Sequence, residues 1–428
     1  MKLDLLFGRR VLDNGLVCLA ARNPTAPTFA AVASMLVDQR MEPKAKAGLG
    51  QLMGACLDEG TLKHSGDDLA EIVEGFGGAL DGGMSGGSIT APLSQLKKAL
   101  PLLAEMLQVP SFPRKALERV RASTRSDIKG DLEEPRTVAF LKFKELCYGE
   151  HPYARPAKGT LRTIAKVTRD DLVQFHRTWF GPGRAVVAAS GDLEVEQMLD
   201  LLEKTFGRWR QPIAEVPTVP AAPRPTAQVR VHLPMAREQV HVYLGHPGIR
   251  RTDPDFYVLS VMDHVLGTGP GFVDRISKKL RDEQGLAYTV SASITNTAGY
   301  EPGHFAAYIG TSPAQVDQAI AGFLEEIRRI RQEAPSAEEV KTVQDYLTGS
   351  FVLGLERNAN LASYLVRCER YQLGLDFLER YPDIIRAVTP EQVRAVAEKH
   401  LDPEHYVLVT AGPERKAAGK KAAAAAAR

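Results

Sequence analysis

Residues 164–191 read IAKVTRDDLVQFHRTWFGPGRAVVAASG, and residues 385–412 read IRAVTPEQVRAVAEKHLDPEHYVLVTAG. A constant offset of 221 places Ile164 on Ile385, Thr168 on Thr389, Pro182 on Pro403 and Gly191 on Gly412. Each copy opens on a threonine suited to cap a helix, continues with acidic residues in a first turn and an amphipathic run, then breaks at a Gly/Pro turn. A short apolar stretch follows, 185–190 in the first copy and 406–410 in the second, and reads as a buried strand. A gap-free match of this length marks a duplication.

Working outward, prolines at 212, 217, 220, 223 and 225 make a stiff, extended connector that divides the chain almost in half. Asn14-Gly15 inside LDNGL signals a hairpin, and the runs near 29–37 and 240–244 supply more strands. Helices are predicted over 67–76, 94–107 and 313–332. The fold class expected is α+β: two duplicated α/β domains, each a mixed sheet covered by helices. The domains run over residues 1–211 and 228–412, joined by a Pro-rich linker at 212–227. Residues 413–428 form a low-complexity Ala/Lys tail that is expected to be disordered and is assigned no function.

The chain has 428 residues, enough for two or three domains at roughly 150 each. With 44% hydrophobic and 25% charged residues it is globular. Lys+Arg 54 against Asp+Glu 52 leaves +2, too balanced for a partner chosen by phosphate attraction, so nucleic acid is not expected. Cys18, Cys56, Cys147 and Cys368 form no C-x-x-C pair and are expected as reduced, buried thiols. No stretch approaches the roughly 18 to 20 consecutive apolar residues of a spanning helix, so no membrane insertion is expected. The start, MKLDLLFGRR, is a poor signal-peptide core, and a cytoplasmic location is expected.

GLGQLMGACLDEGT (48–61), GFGGALDGG (75–83), YGEHPYARPAKGT (148–160) and LRDEQGLAYTV (280–290) together resemble the pitrilysin/insulinase zinc peptidases. Mitochondrial processing peptidase and bacterial two-chain members belong to that group, and the resemblance runs from Leu12 to Gly412. It implies a processing-peptidase-like metallohydrolase fold, a duplicated unit facing another such pair across a large chamber, and peptides as substrates.

In that family the first motif reads His-x-x-Glu-His on a helix. Its two imidazoles hold zinc and its carboxylate polarises the attacking water. The matching positions here are Gln51, Gly54 and Ala55, and the family's third ligand falls at Asp127 within VRASTRSDIKG. None of the first three supplies a ligand or a base of the family's kind, so they read as degenerate metal-motif positions. The chain is expected to bind no metal, and zinc is expected in a partner subunit. No replacement site stands out: His241 and His246 are five apart on a predicted strand and so face opposite ways. His264, His400 and His405 each read as surface or satisfied core histidines.

LRDEQGLAYTV keeps, as Arg281 and Tyr288, the arginine and tyrosine that the resembled family uses to reach the peptide bound at the metal. Phe272, Ile276 and Lys279-Leu280 follow helical spacing up to Gln284, Gly285 is a natural stop, and 286–294 reads as a strand. Arg281 is thereby predicted in the last helical turn and Tyr288 early in the strand. A guanidinium and a phenol at that corner can hydrogen-bond a scissile carbonyl and its developing oxyanion. On local physics alone, a C-terminal arginine also suits the helix dipole and a strand tyrosine is usually core. The Gly-rich LGTGPGFVDR (266–275) lacks a P-loop's Gly-Lys-Ser/Thr ending and reads as a turn leading into a helix.

The expected function is that of the metal-free subunit of a heteromeric zinc metallopeptidase. It closes the peptide chamber and supplies substrate-binding Arg281 and Tyr288 to a His-x-x-Glu-His-containing homologous subunit. One alternative is a structural or peptide-holding inactive homologue. Another is a peptidase with an unrecognised site of its own.

Overall fold

The computed structural model of the chain describes residues 6–414, so the terminal residues 415–428 of the predicted tail lie outside the described residues. The chain forms two compact units. Among the described residues, the first comprises 6–130, 150–220 and 345–386; the second comprises 131–149, 221–344 and 387–414. These units differ from the sequential halves expected from the connector, whose residues 212–227 hold no helix or strand. Each unit takes in a segment from the other half of the sequence.

The first unit holds a six-stranded sheet in the order β1-β2-β6-β3-β5-β4. Its strands are β1 (Leu6–Val11), β2 (Val17–Arg22), β3 (Thr28–Ser34), β4 (Ala79–Gly83), β5 (Gly86–Pro92) and β6 (Val186–Gly191). β2 and β6 pair in parallel, and every other neighbouring pair is antiparallel. The β1–β2 hairpin closes at the predicted Asn14-Gly15, with Gly15 at φ +83°. Phe29, Ala31, Ala33, Val187 and Ala189 face the core beside helices Leu96–Gln108 and Val195–Phe206. Alternation turns Ser190 to the other face, where helix Asn358–Arg370 covers the sheet. There the Asn358 amide donates to the Thr28 carbonyl at 2.9 Å and its oxygen accepts from Ser190 Oγ at 2.9 Å. Coverage on both faces explains why β6 is buried along its whole length and reads as an unbroken small apolar run.

The second unit repeats the plan with five strands, in the order β7-β11-β8-β10-β9. They are β7 (Val229–Pro234), β8 (Val240–Pro247), β9 (Val290–Ser293), β10 (His304–Thr311) and β11 (Val407–Gly412). β11 lies parallel to β7 and antiparallel to β8, as β6 does to β2 and β3. The duplication read from the sequence is therefore a duplication of topology. Thr168 and Thr389 both cap their helices, Arg169–Trp179 and Pro390–His400, through reciprocal capping boxes. Helix Pro135–Tyr148, from the first half of the sequence, lies on β8 and β11. Phe140 and Phe143 pack on Tyr243, and the Arg136 guanidinium sits 4.3 Å from the Tyr308 ring centre.

All four cysteines are buried free thiols, and burial pushes Cys18 and Cys56 up to about 12. Among the described residues no helix is long and apolar enough to cross a membrane.

Candidate functional site

The helix that aligns with the family's metal motif is short, Leu49–Gly54, and enters through Gly48 at φ +92°. Buried Glu42 holds its first turn by accepting from the amides of Gly48 at 3.2 Å and Gly50 at 2.7 Å. Desolvation pushes the Glu42 carboxyl up to about 7, against the pull of those two amides. Leu52 and Met53 anchor the helix in the core, so Gln51 and Ala55 share its exposed face.

Gly54 is buried against the β4–β5 hairpin. A Cβ at this position would sit 2.9 Å from Gly83 Cα and closer still to the Gly83 carbonyl carbon and the Met84 nitrogen. Gly82 returns the contact, since its own Cβ would lie 2.8 Å from the Gly54 oxygen. Helix and hairpin thus meet backbone to backbone, leaving no room for a carboxylate at 54. Asp127 is exposed on a separate helix, Arg114–Glu133, and no hydrogen bond or ion pair joins it to Gln51, Gly54 or Ala55. One amide, one methyl and an excluded side chain do not fit a zinc ion, which needs three or four N, O or S donors.

The histidines weighed as replacements are engaged elsewhere. His246 donates from Nδ1 to the Pro247 carbonyl at 2.9 Å and accepts at Nε2 from the Asp402 amide at 3.1 Å. His241 meets the Tyr308 hydroxyl at 3.0 Å, His264 the Ser260 carbonyl at 2.8 Å, and His405 the Asp402 carboxylate at 3.0 Å. Among the described residues one group of three side chains could share an ion, Asp253, Asp255 and His400. There the Lys399 ammonium sits 2.6 Å from Asp255 Oδ2, with His400 Nε2 2.7 Å from the same oxygen, so a resident cation already balances the carboxylate.

Arg281 and Tyr288 are brought together in the second unit, by a local structure that differs from the predicted one. Residues Ser277–Glu283 form a π-helix, closed by a bond from the Gln284 amide to the Lys279 carbonyl at 3.2 Å. Gly285 ends it as expected, at φ +60°, with the Leu286 amide reaching back to the Leu280 carbonyl at 2.8 Å. Leu280 is buried directly over Gly322, where any Cβ would collide with it. This fixes the helix while Arg281 turns outward. Tyr288 precedes the strand rather than lying in it, because β9 starts only at Val290, and it is 82% exposed instead of core.

Phe272, read from sequence as part of the helix's apolar face, is instead 43% exposed in the turn Pro270–Phe272, at φ +66°. Its ring lies 3.7 Å beneath the Arg281 guanidinium carbon, and the Tyr288 ring centre is 5.5 Å away on the same group. The nearest carboxylate, Asp282, is at 4.0 Å, and no hydrogen bond occupies the Arg281 side-chain donors among the described residues. A guanidinium stacked on aromatic rings keeps its in-plane N–H groups free to donate. The aromatic directly after Gly271 in the Gly-rich turn was the available sequence signal for Phe272.

Two family models match the chain: insulinase (peptidase family M16) over residues 18–161, and peptidase M16 inactive domain over residues 166–347. An uncharacterized zinc protease of Streptomyces coelicolor is 29% identical over 382 residues, 85% of this chain and 81% of its own. The non-peptidase homolog YmxG of Helicobacter pylori is 26% identical over 387 residues, 88% of this chain and 87% of its own. A crystal structure of a peptidase M16 inactive domain from Pseudomonas fluorescens superposes with a TM-score of 0.89 at 25% identity, covering 96% of this chain and 99% of that one. The two models follow one another along the chain almost without a break, and the related structure reproduces both units, which makes this polypeptide a member of the insulinase peptidase family, M16.

Proposed function

We propose that the chain is the metal-free subunit of a heteromeric zinc peptidase, closing the peptide chamber and presenting Arg281 and Tyr288 to substrate bound at a homologous partner that carries His-x-x-Glu-His. The observation that supports this reading is the stacked, undercommitted guanidinium of Arg281 beside an exposed phenol. In the first unit, positions 51, 54 and 55 offer nothing for an ion, so in this reading the ion belongs to the partner. Arg281 orients the scissile carbonyl through its planar N–H donors. Tyr288 donates from its hydroxyl to the same oxygen as charge builds on it. Phe272 holds the guanidinium plane and acts as a positioning residue. Removing one such donor typically costs about 2.7–4 kcal/mol of barrier. The assembly works in the cytoplasm in this reading, in keeping with four buried free thiols.

The test is reconstitution with a His-x-x-Glu-His partner and a fluorogenic peptide. Arg281→Ala and Tyr288→Phe should each lower kcat about a hundredfold or more. Phe272→Leu should lower it less and leave the melting temperature in place. Unchanged kcat in the Arg281→Ala/Tyr288→Phe double variant refutes the catalytic role. That outcome favours the second reading, a structural or peptide-holding homologue. The closed backbone contact at Gly54 and the non-peptidase name carried by a relative support this second reading.

A further inference from the structure

Phe272 and Arg281 stand nine positions apart, toward the two ends of one helical stretch in the second unit, yet their side chains stack at 3.7 Å. Such a contact survives only if the winding between them is fixed. Passing from a π-turn to an α-turn slips the register by one residue, a rotation of about 100° and an advance of about 1.5 Å, enough to part the ring from the guanidinium. Leu280 on Gly322 of helix Val316–Gln332 holds the C-terminal end. The other end needs an anchor of its own.

Arg275 supplies it. Just before it, Asp274 caps the first turn by accepting from the Ser277 amide at 2.8 Å. The buried Arg275 guanidinium forks onto Glu339, Nε to Oε1 at 2.7 Å and Nη2 to Oε2 at 3.1 Å. Glu339 is fixed in turn at the start of helix Ala337–Gly354: it accepts from the Ser336 amide at 2.8 Å, and its own amide donates to the Ser336 hydroxyl at 3.1 Å. Glu326 lies one turn beyond Gly322 on the same face of its helix and is 2% exposed. Burial pushes its carboxyl up, against the fields of Arg329 and Arg275. Arg329 reaches Glu326 Oε1 at 3.7 Å, but Oε2 has no hydrogen-bond partner, and Arg275 Nη1 is likewise buried without an acceptor. This unmet donor and acceptor, together with the left-handed backbone of Phe272 at φ +66°, are unfavourable features held at the N-terminal anchor of one helix. What they preserve is the stack.

We infer that Arg275, clamped by Glu339, is a positioning residue: it fixes the winding of the π-helix and so keeps Phe272 beneath Arg281. The consequence for catalysis rests on the role proposed above for Arg281; the geometry is tested without it. In the chain alone, carrying isotope-labelled arginine, the ring current of Phe272 displaces the Arg281 Nε–Hε resonance. Arg281→Ala assigns that signal and Phe272→Leu gives its unstacked position. Arg275→Gln should move the signal to the unstacked position. Glu339→Gln should do the same, and it keeps a side-chain amide in place should the Arg275 variant fold poorly. Arg328→Gln, which breaks a surface pair with Glu404 on helix Val316–Gln332, should leave the signal where it is. In the peptidase reconstituted with a His-x-x-Glu-His partner, Glu339→Gln should lower kcat roughly tenfold to a hundredfold with KM little changed, and should add nothing in an Arg281→Ala background. An Arg281 signal that stays in place in both variants overturns the inference, as does a Glu339→Gln loss that persists undiminished without Arg281. If the signal moves but Arg281→Ala leaves kcat unchanged, the positioning stands and the function proposed for Arg281 fails.

Discussion

Replacing Gly54 by alanine should destabilise the first unit even though it adds a single methyl. The new Cβ would stand 2.9 Å from Gly83 Cα, where ordinary contact begins near 3.4 Å, and its two nearest neighbours are backbone atoms that cannot swing aside. Helix Leu49–Gly54 or the β4–β5 hairpin must shift to admit it, yet Leu52 and Met53 hold the helix in the core. Overpacking of this kind costs about 1–3 kcal/mol. For a unit of this size that lowers the melting temperature by a few degrees to about ten. Gly54→Glu adds an unpaired carboxylate in a buried position, a further several kcal/mol by order of magnitude, and should reduce soluble yield. Ala55→Ser, on the exposed face, serves as the control and should leave the transition where it is. Scanning fluorimetry and far-UV circular dichroism read both, and metal analysis of Gln51→His/Gly54→Glu/Ala55→His completes the set. A Gly54→Ala protein melting within one degree of the parent refutes the steric argument. So does a triple variant that folds normally with one zinc bound.

The other expectations concern groups already described. Glu42 ionises near 4.5 when unfolded but only near 7 when folded, so between those values the folded state carries the extra proton and stability falls as pH rises from 5 to 8. The loss is at most about 3 kcal/mol, and urea titrations of Glu42→Gln should show that slope flattened. Asn358→Ala leaves the Thr28 carbonyl and the Ser190 hydroxyl without their partner inside the first unit, at about 1–3 kcal/mol for each orphaned group. Its denaturation midpoint should drop, while that of the exposed neighbour variant Asn360→Ala holds. Thr168→Ala and Thr389→Ala each remove one capping box and should lose about 1 kcal/mol. Similar losses are expected because the two caps have the same geometry, and a several-fold difference would argue against equivalence of the copies.

What the sequence disclosed was what is local. Threonine caps, Asn14-Gly15 and the offset between the two copies are decided within a few residues, and strands, turns and shared topology follow from them. The exchanged segments are a different matter. Helix Asn358–Arg370 has an ordinary amphipathic pattern that does not say which sheet it will cover, and Ser190, its hydrogen-bond partner, lies 168 positions earlier. The π-helix was equally hidden, since its register answers to Leu280 seated on Gly322, a contact between distant positions. That error carried through to the site: once the helix is wound differently, Phe272 leaves the core and comes to lie under Arg281. The absence of metal ligands at 51, 54 and 55 could be read directly. The closed space at Gly54 could not, although the glycines of LDGGMSGG hinted at a close approach of backbones.

The exchange also governs how the polypeptide can be born. When the ribosome has released β6, the first sheet has its strands and one of its two coats, but the helix that protects Ser190 and the far side of β3 is still to be synthesised. At about 5–20 residues per second, that delay is on the order of ten seconds or more. Throughout it, a nearly finished sheet waits with one side bare. Cutting the gene at the proline connector would make that interval permanent, so a stand-alone N-terminal fragment should be a client for chaperones rather than a domain.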